Sequence, residues 1–593
     1  MESRTLGTAG GDVLQVEELS KRFFIGNREV RALDQVSFAV RQGIVTGLIG
    51  PDGAGKTTLM RLVSGLLRPD QGRATVLGMD AVTDALVIQT RLGYMPQRFG
   101  LYEDLTVQEN LDLYGDLQGV PSAERTVRYA QLMQLTGLAP FTSRLAGRLS
   151  GGMKQKLGLA CTLIKPPRLL LLDEPTVGVD PVSRRELWSI VYRQVEEEGM
   201  SVLLSTAYLD EAERCQDVIL LHEGHFLGQG PPHSFSERTQ GHCFMLRSNR
   251  ENRRTLQERL SRRPEVMDAI ILGDRVRLVT RDPMDRERVA TLFSGPGFLD
   301  VQAVEPRFED AFIGLLRTRL EEEGRYGKVR DIRATPRDTD PEEDVIVVRD
   351  LQRRFGSFYA VKNLSFTVKR GEIFGLLGAN GAGKSTTFRM LCGLLPASGG
   401  ILEVAGQNLR VARARARAKI GYMAQKFSLY GELTVFQNLR FFAAAYGLRG
   451  RTRKERIQWA LESFELEPVR DAASGDLPLG YKQRLALAAA LMHEPEILFL
   501  DEPTSGVDPL ARREFWHHIN GLAEAGVTVL VTTHFMEEAE YCDRLVIMAQ
   551  GEVLATGTPE SLKEDTATAE IPEPTMEDAF IYLIEQFAAR NGS

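Results

Sequence analysis

The apolar positions of the chain form short runs separated by polar and glycine-rich segments. The runs IVTGLI from Ile44 and IFGLL from Ile373 each lead into a glycine-rich loop followed by a helical pattern. Two further runs, LLLL and ILFL, end at Asp173 and Asp501. Unbroken apolar runs of this length predict strands buried on both faces of a parallel sheet. The pattern therefore predicts an α/β fold.

These elements occur twice because the chain repeats itself. GLIGPDGAGKTTLMRLVSGLL from Gly47 recurs as GLLGANGAGKSTTFRMLCGLL from Gly375, and the segments around the two acidic runs also match. Lys56 to Lys384 and Asp173 to Asp501 both give a spacing of 328. A constant spacing over such a length indicates two copies of one domain.

The first copy carries an insertion before its C-terminal helix. EPRFEDAFIGLL from Glu305 matches EPTMEDAFIYLIE from Glu573 at a spacing of only 268, which is 60 less than the spacing of 328 elsewhere. The extra residues read as β-α-β-β-α-β, which predicts a small α+β, ferredoxin-like domain. We predict a first copy of the repeated domain at 1–240, the accessory domain and EDAF helix at 241–320, a charged linker at 321–344, a second copy of the repeated domain at 345–565 and a short helical tail at 566–593.

Composition excludes several classes of protein. The 593 residues are 43% hydrophobic and 26% charged, which is ordinary for globular domains. We find no apolar run long enough to span a membrane and no signal peptide, which predicts a cytoplasmic chain. The net charge of −7 lacks the basic excess of a nucleic-acid-coating protein, so we expect no nucleic-acid partner. Five scattered cysteines suggest neither a disulfide framework nor a structural zinc site.

Each copy contains the phosphate-binding motif G-x-x-x-x-G-K-[ST], at residues 50–57 and 378–385. Backbone amides of this loop wrap a triphosphate, its Lys reaches the β- and γ-phosphates, and its last hydroxyl can ligate Mg²⁺. The motif predicts ATP binding by Gly50, Asp52, Gly53, Gly55, Lys56, Thr57 and Thr58, and by Gly378, Asn380, Gly381, Gly383, Lys384, Ser385 and Thr386.

An Asp-Glu pair follows the second apolar run of each copy, at Asp173-Glu174 and Asp501-Glu502. Carboxylates at the C-terminal edge of a parallel strand lie where such sheets bind ligands. We expect the Asp to join Thr57 or Ser385 in the Mg²⁺ shell and the Glu to orient the attacking water. This division suits phosphoryl transfer, which depends mainly on positioning and charge stabilisation.

The segment LSGGM, from Leu149, precedes the first acidic strand. Together with the P-loops and the acidic pairs, this segment makes the sequence resemble the ATP-binding cassette (ABC) superfamily. The resemblance implies two tandem P-loop ATPase domains, each a RecA-like α/β core with antiparallel β and α-helical subdomains. It also implies signature residues at Ser150, Gly151 and Gly152, glutamines near Mg²⁺ and water at Gln97 and Gln425, loop aspartates at Asp180 and Asp508, a switch histidine at His534, and adenine-stacking rings at Phe23 and Phe355. For the two Phe residues a core position is the alternative.

The two copies depart from the family pattern at different places. VLLSTAYLDEAE aligns with VLVTTHFMEEAE, so Ala207 stands where the second copy has His534. LSGGM aligns with LPLGY, so Pro478 and Leu479 replace the Ser and a Gly in the second copy. ABC domains pair head to tail, and each nucleotide then lies between one P-loop and the other signature. Both losses would fall in one site, leaving it degenerate and the other competent.

The chain looks most like ATP-binding subunits of bacterial ABC-2 exporters of the drug-resistance type with two fused cassettes. That resemblance implies export of drugs or other small molecules, with integral-membrane permease subunits, two in number, as separate partners. The chain would then lie peripherally on the cytoplasmic face of the inner membrane. Two alternatives remain open: a soluble tandem-cassette ATPase acting on ribosomes or DNA, and a fused sugar-importer ATPase.

Overall fold

A computed structural model gives the architecture. The structure describes residues 11–25, 28–97, 100–295, 297, 299–324, 342–409, 411–425 and 428–591. Backbone contacts divide the chain into two compact units. The first holds the chain up to Val179, Ser183–Arg238 and Arg307–Leu316; the second holds Asp180–Val182, Thr239–Pro306 and everything from Arg317. The insertion therefore groups with the second cassette, although it follows the first in sequence.

The first cassette contains two sheets, as the resemblance implied. An antiparallel sheet has the order β2-β1-β4-β5, and a mostly parallel sheet has the order β10-β9-β3-β8-β7-β6. Their strands are β1 (Asp12–Ile25), β2 (Arg28–Arg41), β3 (Val45–Ile49), β4 (Gln71–Val76), β5 (Met79–Asp80), β6 (Leu92–Met95), β7 (Leu169–Asp173), β8 (Ser201–Thr206), β9 (Asp217–His222) and β10 (His225–Gly230). Every residue of β3, β7, β8 and β9 is buried, as expected for parallel strands covered on both faces.

Helices of the first cassette flank the parallel sheet or form a helical subdomain. They are α1 (Lys56–Val63), α2 (Ala85–Gln89), α3 (Val107–Leu117), α4 (Ser122–Thr136), α5 (Gly151–Thr162), α6 (Pro181–Glu198), α7 (Leu209–Ala212) and α8 (Pro232–Ser236). Thr106 and Glu109 form a capping box at the start of α3, which satisfies amides that a helix end leaves unpaired.

The insertion has the predicted β-α-β-β-α-β order. Its elements are β11 (Cys243–Ser248), α9 (Arg253–Ser261), β12 (Val266–Leu272), β13 (Arg275–Thr280), α10 (Arg286–Leu292) and β14 (Leu299–Ala303). The antiparallel sheet runs β12-β13-β11-β14, the strand order of a ferredoxin-like domain. Phe244, Leu256, Leu278 and Phe293 belong to its own apolar core. Helix α11 (Phe308–Glu322) follows.

The second cassette repeats the architecture of the first. Its sheets have the orders β16-β15-β18-β19 and β20-β21-β22-β17-β23-β24. The strands are β15 (Asp344–Phe355), β16 (Phe358–Lys369), β17 (Ile373–Gly378), β18 (Gly399–Val404), β19 (Gln407–Asn408), β20 (Ile420–Met423), β21 (Ile497–Asp501), β22 (Thr528–Thr533), β23 (Arg544–Ala549) and β24 (Glu552–Gly557). The helices are α12 (Lys384–Leu391), α13 (Arg413–Arg417), α14 (Val435–Ala445), α15 (Gly450–Ser463), α16 (Leu479–Ala490), α17 (Pro509–Glu524), α18 (Met536–Ala539), α19 (Pro559–Glu564) and α20 (Met576–Asn591).

Side chains of the insertion pack directly on the second cassette. Ile271 belongs to the same buried cluster as Trp516 and Tyr541. The Gly273 amide donates to the Glu540 carbonyl at 3.2 Å, and the Asn520 amide group donates to Gln257 Oε1 at 3.2 Å. Apolar burial and paired buried polar groups together hold the insertion on this cassette.

The charged linker predicted at 321–344 falls mainly outside the described residues, which omit 325–341. Its first two residues, Glu321 and Glu322, belong to α11 instead. The last turn is supported by charge, because Glu321 Oε1 lies 2.6 Å from Arg281 Nη2 and Arg319 lies 3.1 Å from Glu323 one turn further on. All five cysteines are buried and free, as the sequence suggested. No described helix has the length and apolarity that a membrane span requires.

Candidate active site

The two P-loops join a buried strand to a helix, β3 to α1 and β17 to α12. Gly55 and Gly383 have φ values of 101° and 103°, in the left-handed region that favours glycine. A Cβ at Gly55 would lie 2.4 Å from the Ala32 carbonyl oxygen, so only glycine fits there. These turns place Lys56, Thr57 and Thr58 in the first turn of α1, and Lys384, Ser385 and Thr386 in the first turn of α12, where helix amides favour an anion.

The P-loop lysines are buried and lie beside the predicted carboxylates. Lys56 Nζ donates to the Gly50 carbonyl at 2.7 Å and lies 3.2 Å from Glu174 Oε1. Lys384 Nζ donates to the Gly378 carbonyl at 2.5 Å and lies 4.0 Å from Glu502 Oε1. Burial lowers the pKa of Lys384, while the facing carboxylates oppose that shift. The structure thus brings each P-loop lysine to the acidic strand of its own cassette.

Each acidic pair is fixed by a hydroxyl from the neighbouring strand, a contact that the sequence analysis missed. Ser205 Oγ donates to Asp173 Oδ1 at 2.7 Å and accepts from the Glu174 amide at 2.9 Å. Thr532 Oγ1 makes the same two bonds, to Asp501 Oδ1 at 2.5 Å and from the Glu502 amide at 3.0 Å. Ser205 and Thr532 occupy aligned positions near the ends of β8 and β22, and this shared hydroxyl could have indicated the contact.

The two glutamates share an unusual backbone conformation. Glu174 has φ 50° and Glu502 has φ 47°, in a region that side-chain-bearing residues rarely adopt. The hydroxyl bond to each glutamate amide holds the strained residue in place, and such strain concentrates at functional sites. Gln97 Nε2 donates to Glu174 Oε2 at 2.6 Å, and Gln425 Nε2 donates to Glu502 Oε2 at 2.7 Å. Both predicted glutamines therefore contact the predicted water-orienting carboxylate.

His534 distinguishes the second cassette from the first. Its Nδ1 lies 3.2 Å from Glu502 Oε2, and its side chain is buried. The aligned Ala207 is also buried but offers no polar atom to Glu174. Burial raises the pKa of Glu502, but His534, Lys384 and Gln425 outweigh it, so the pKa lies below its ordinary 4.5. Burial raises the pKa of the adjacent Asp501.

The two signature segments begin their helices differently. Ser150 caps α5, since its Oγ accepts from the Met153 amide at 3.3 Å, and Gly151 and Gly152 open that helix. In the second cassette Pro478 occupies the capping position of α16 and makes no side-chain bond. Leu479 follows it as the first helical residue. The second segment therefore lacks the hydroxyl of Ser150, and Leu479 places a side chain where the first segment has Gly151.

Four remaining predicted residues lie at strand ends or helix starts. Phe23 and Phe355 are 37% and 47% exposed, so neither is the core aromatic that was the alternative interpretation. Asp508 caps α17, accepting from the Leu510 and Ala511 amides at 3.1 and 3.0 Å. Asp180 is buried just before α6. ATP contacts of all four stay predictions.

The oxygen ligands near each P-loop suit Mg²⁺. Thr57 Oγ1 donates to Asp173 Oδ1 at 3.2 Å, so a hydroxyl and a carboxylate face one point beside the first P-loop. Mg²⁺ prefers oxygen ligands and usually completes its shell with water and phosphate. Thr57 and Asp173 would hold the ion in the first cassette, and Ser385 and Asp501 are their sequence equivalents. The described residues contain no cluster of three or more His, Cys, Asp or Glu that would form an all-protein metal cage.

A P-loop on a parallel sheet, with a Gln-Glu pair at the strand edge, defines a P-loop ATPase. A family model described as ABC transporter matches residues 33–177 and 361–505. The probable multidrug ABC transporter ATP-binding protein YbhF of Escherichia coli (strain K12) is 52% identical over 576 residues, covering 97% of this chain and 98% of the relative. The chain belongs to the ABC transporter family and is an ABC-type ATPase with two fused cassettes.

Shorter relatives match a single cassette. The linearmycin resistance ATP-binding protein LnrL of Bacillus subtilis (strain 168) is 39% identical over 251 residues, 42% of this chain and 81% of the relative. The Nod factor export ATP-binding protein I of Burkholderia lata is 41% identical over 226 residues, 38% of this chain and 74% of the relative. Both relatives thus cover less than half of this chain.

Proposed function

We propose that this chain binds and hydrolyses ATP to power an ABC-2 type exporter of drugs or other small molecules through two separate integral-membrane permease subunits. The names of its relatives, which include a multidrug, a resistance and an export protein, support this assignment. The chain would then work on the cytoplasmic face of the membrane.

The observation that carries the proposal is the bond from Gln425 Nε2 to Glu502 Oε2, at 2.7 Å. Gln425 begins the segment QKFSLYGELTV. The family resemblance implies that membrane partners bind after this glutamine. A permease that moves this segment would shift Gln425 relative to the carboxylate that orients the attacking water. Transport and hydrolysis are then coupled through one hydrogen bond.

The chemistry assigned to the second P-loop needs four groups. Lys384 neutralises the β- and γ-phosphates, Mg²⁺ when bound adds positive charge to the same oxygens, and Glu502 holds the attacking water. The lowered pKa of Glu502 keeps its carboxylate ionised and able to accept a hydrogen bond from that water. His534, beside Glu502, fixes the carboxylate and offers a donor toward the transferred phosphoryl group.

We further propose that head-to-tail pairing makes one competent and one degenerate site. The competent site unites the second P-loop, Glu502 and His534 with Ser150, Gly151 and Gly152. The degenerate site unites the first P-loop, Glu174 and Ala207 with Pro478 and Leu479. Losing one preorganised transition-state donor costs about 10²- to 10³-fold in rate. The degenerate site would hold Mg-ATP and hydrolyse it slowly.

The test is purification of the tagged chain from detergent-solubilised membranes of its own cell, followed by reconstitution in vesicles. We expect multi-span permease chains to co-purify, and we expect ATP-dependent movement of a fluorescent dye such as Hoechst 33342. The matched control is Glu502→Gln, which should retain the partners and abolish dye movement. Recovery with ribosomes or DNA, without membrane proteins, would contradict the proposal.

A further inference from the structure

The second unit contains a cavity of about 860 Å³ where the insertion meets α17 and Tyr541. Its walls come from α9, β12 and the end of α11 on one side and from α17 on the other. Cavities of roughly 300 to 1,000 Å³ are typical of small-molecule sites. None of the nucleotide-binding residues lines this cavity, so it is separate from the candidate active site.

Two guanidinium groups share one carboxylate in the wall of the cavity. Asp268 pairs with two guanidinium groups: Arg317 Nη2 lies 2.8 Å from its Oδ1, and Arg513 Nη1 contacts its Oδ2. Arg513 and Asp268 have side chains only 5% and 6% exposed. Nearby Glu514 lies 2.5 Å from Arg484, which also pairs with Glu465 at 2.9 Å, and Glu537 lies 3.2 Å from Arg512.

This buried charge is specific to the second cassette. The residue aligned with Arg513 in the first cassette is Arg185, and its side chain is exposed on α6. Docking of the insertion therefore removes Arg513 from water, and burial lowers the pKa of its guanidinium. Burying two cations against one carboxylate is costly, and an additional anion in the cavity would offset that cost.

Part of the lining is apolar and aromatic. Val266, Ala269 and Ile270 contribute from β12. Trp516 and Tyr541 contribute a stacked pair of rings, with centroids 4.7 Å apart and planes 19° apart. At the mouth, Arg281 Nη2 pairs with Glu321 Oε1 at 2.6 Å, so charge is balanced there. The ligand best matched to these walls has an apolar or aromatic body and one anionic group.

We propose that this cavity binds an amphipathic organic anion and that the bound anion modulates ATP hydrolysis. Some residues that line the cavity are close in sequence to predicted active-site residues. Arg513 and Trp516 lie on α17, whose first turn is capped by Asp508, and Tyr541 follows the short helix after His534. A ligand that repositions these elements would act on the segment of Asp508 and on that of His534, which contacts Glu502. This proposal goes beyond the exporter assignment and holds for the chain without permeases.

The test uses 8-anilinonaphthalene-1-sulfonate, an aromatic sulfonate whose fluorescence rises on binding, with the full chain in saturating Mg-ATP. The charge-reversed pair Arg262→Glu/Arg281→Glu surrounds the mouth with carboxylates and should weaken binding about tenfold. The control pair Arg286→Glu/Arg288→Glu makes the same change on α10, which does not line the cavity, and should shift affinity less than about twofold. Ser261→Trp, which fills the mouth without changing charge, should also weaken binding.

The ATPase rate of the same proteins supplies a second readout. Sulfonate at a concentration that just saturates the wild type should change the wild-type and control rates by about twofold or more, and the charge-reversed pair should need about tenfold more sulfonate for the same change. The uncharged analogue N-phenyl-1-naphthylamine should bind about tenfold more weakly than the sulfonate. Equal affinity in both charge-reversed pairs, displacement by ATP, or equal binding of the uncharged analogue would each overturn the proposal.

Discussion

The two cassettes differ at a few positions within otherwise matching surroundings. Each holds a P-loop lysine, a Gln-Glu hydrogen bond of 2.6 or 2.7 Å, and a strained glutamate fixed by a hydroxyl. Only the second places a histidine 3.2 Å from that glutamate, and only the first has a serine-capped signature helix. The difference teaches that a site can keep the geometry for binding Mg-ATP while losing individual groups that stabilise the transition state.

A second difference lies at the strand that precedes each P-loop. Gln216 Oε1 accepts from the Val45 amide at 2.9 Å, and the aligned Asp543 Oδ2 accepts from the Ile373 amide at 2.8 Å. Asp543 additionally pairs with Arg253 at 2.7 Å and with Arg254, both from the insertion. Both side chains thus accept from the strand amide, but only Asp543 also forms ion pairs with the accessory domain.

We expect the largest effect on the ATPase rate from His534→Ala, which gives the second cassette the residue that the first cassette has at this position. Because His534 positions Glu502 and offers a transition-state donor, we expect the ATPase rate to fall about 10²- to 10³-fold. Retained nucleotide affinity, measured with a fluorescent ATP analogue, would show that binding is intact. The matched variant Ala207→His should leave the rate within about twofold. A rate in His534→Ala close to the wild-type rate would remove His534 from the mechanism.

Exchanging the signature residues tests the proposed pairing. Ser150→Ala should lower the ATPase rate by about 10- to 100-fold, because the competent site would take its signature from the first cassette. Pro478→Ser restores a hydroxyl in the other signature and should change the rate by less than about twofold. Steady-state ATPase assays measure both. A larger effect at Pro478 than at Ser150 would contradict this assignment of signatures.

The hydroxyl groups of Ser205 and Thr532 make the same bonds in the two cassettes, so their removal compares the two sites directly. Thr532→Val removes the bonds to Asp501 and the Glu502 amide, and we expect about a tenfold loss of ATPase activity. Ser205→Ala removes the same bonds in the first cassette and should alter activity much less. Both should lower the free energy of unfolding by about 1 to 3 kcal/mol, measured by urea denaturation. Equal losses of activity would indicate that both sites hydrolyse ATP.

Asp543→Gln gives the second cassette the residue of the first. It should lower the free energy of unfolding by about 1 to 3 kcal/mol at pH 7, because two partly buried arginines lose their carboxylate. Burial raises the pKa of Asp543, but Arg254 and Arg253 outweigh it, so the pKa lies below its ordinary 3.8. The ionised group therefore adds stability that is present above pH 3.8 and lost as the pH falls through the folded-state pKa. The difference between wild type and variant should shrink below pH 3.8, and a difference independent of pH would contradict this account.

Sequence alone predicted the repeat, the P-loops, the acidic pairs and the β-α-β-β-α-β order of the insertion. These features follow from local spacing and apolar runs, which a sequence displays directly. The Gln-Glu contacts join residues 77 apart, and only the family resemblance had placed them together.

The docking of the insertion could not be predicted from local patterns. Ile271 reads as one more apolar strand residue, yet it packs with Trp516 of the second cassette. The burial of Asp268 and Arg513 depends on a contact between two elements 245 residues apart, which no local pattern reports. Tertiary contacts decide such features, as they also decide the strained backbone of Glu174 and Glu502.

The central claim is that one of two similarly built sites performs hydrolysis. The most direct measurement compares the ATPase rates of Glu502→Gln and Glu174→Gln in the complex with its membrane partners. The account predicts that Glu502→Gln falls by about 10² or more and that Glu174→Gln keeps at least about half of the wild-type rate. Equal losses in the two variants would contradict it.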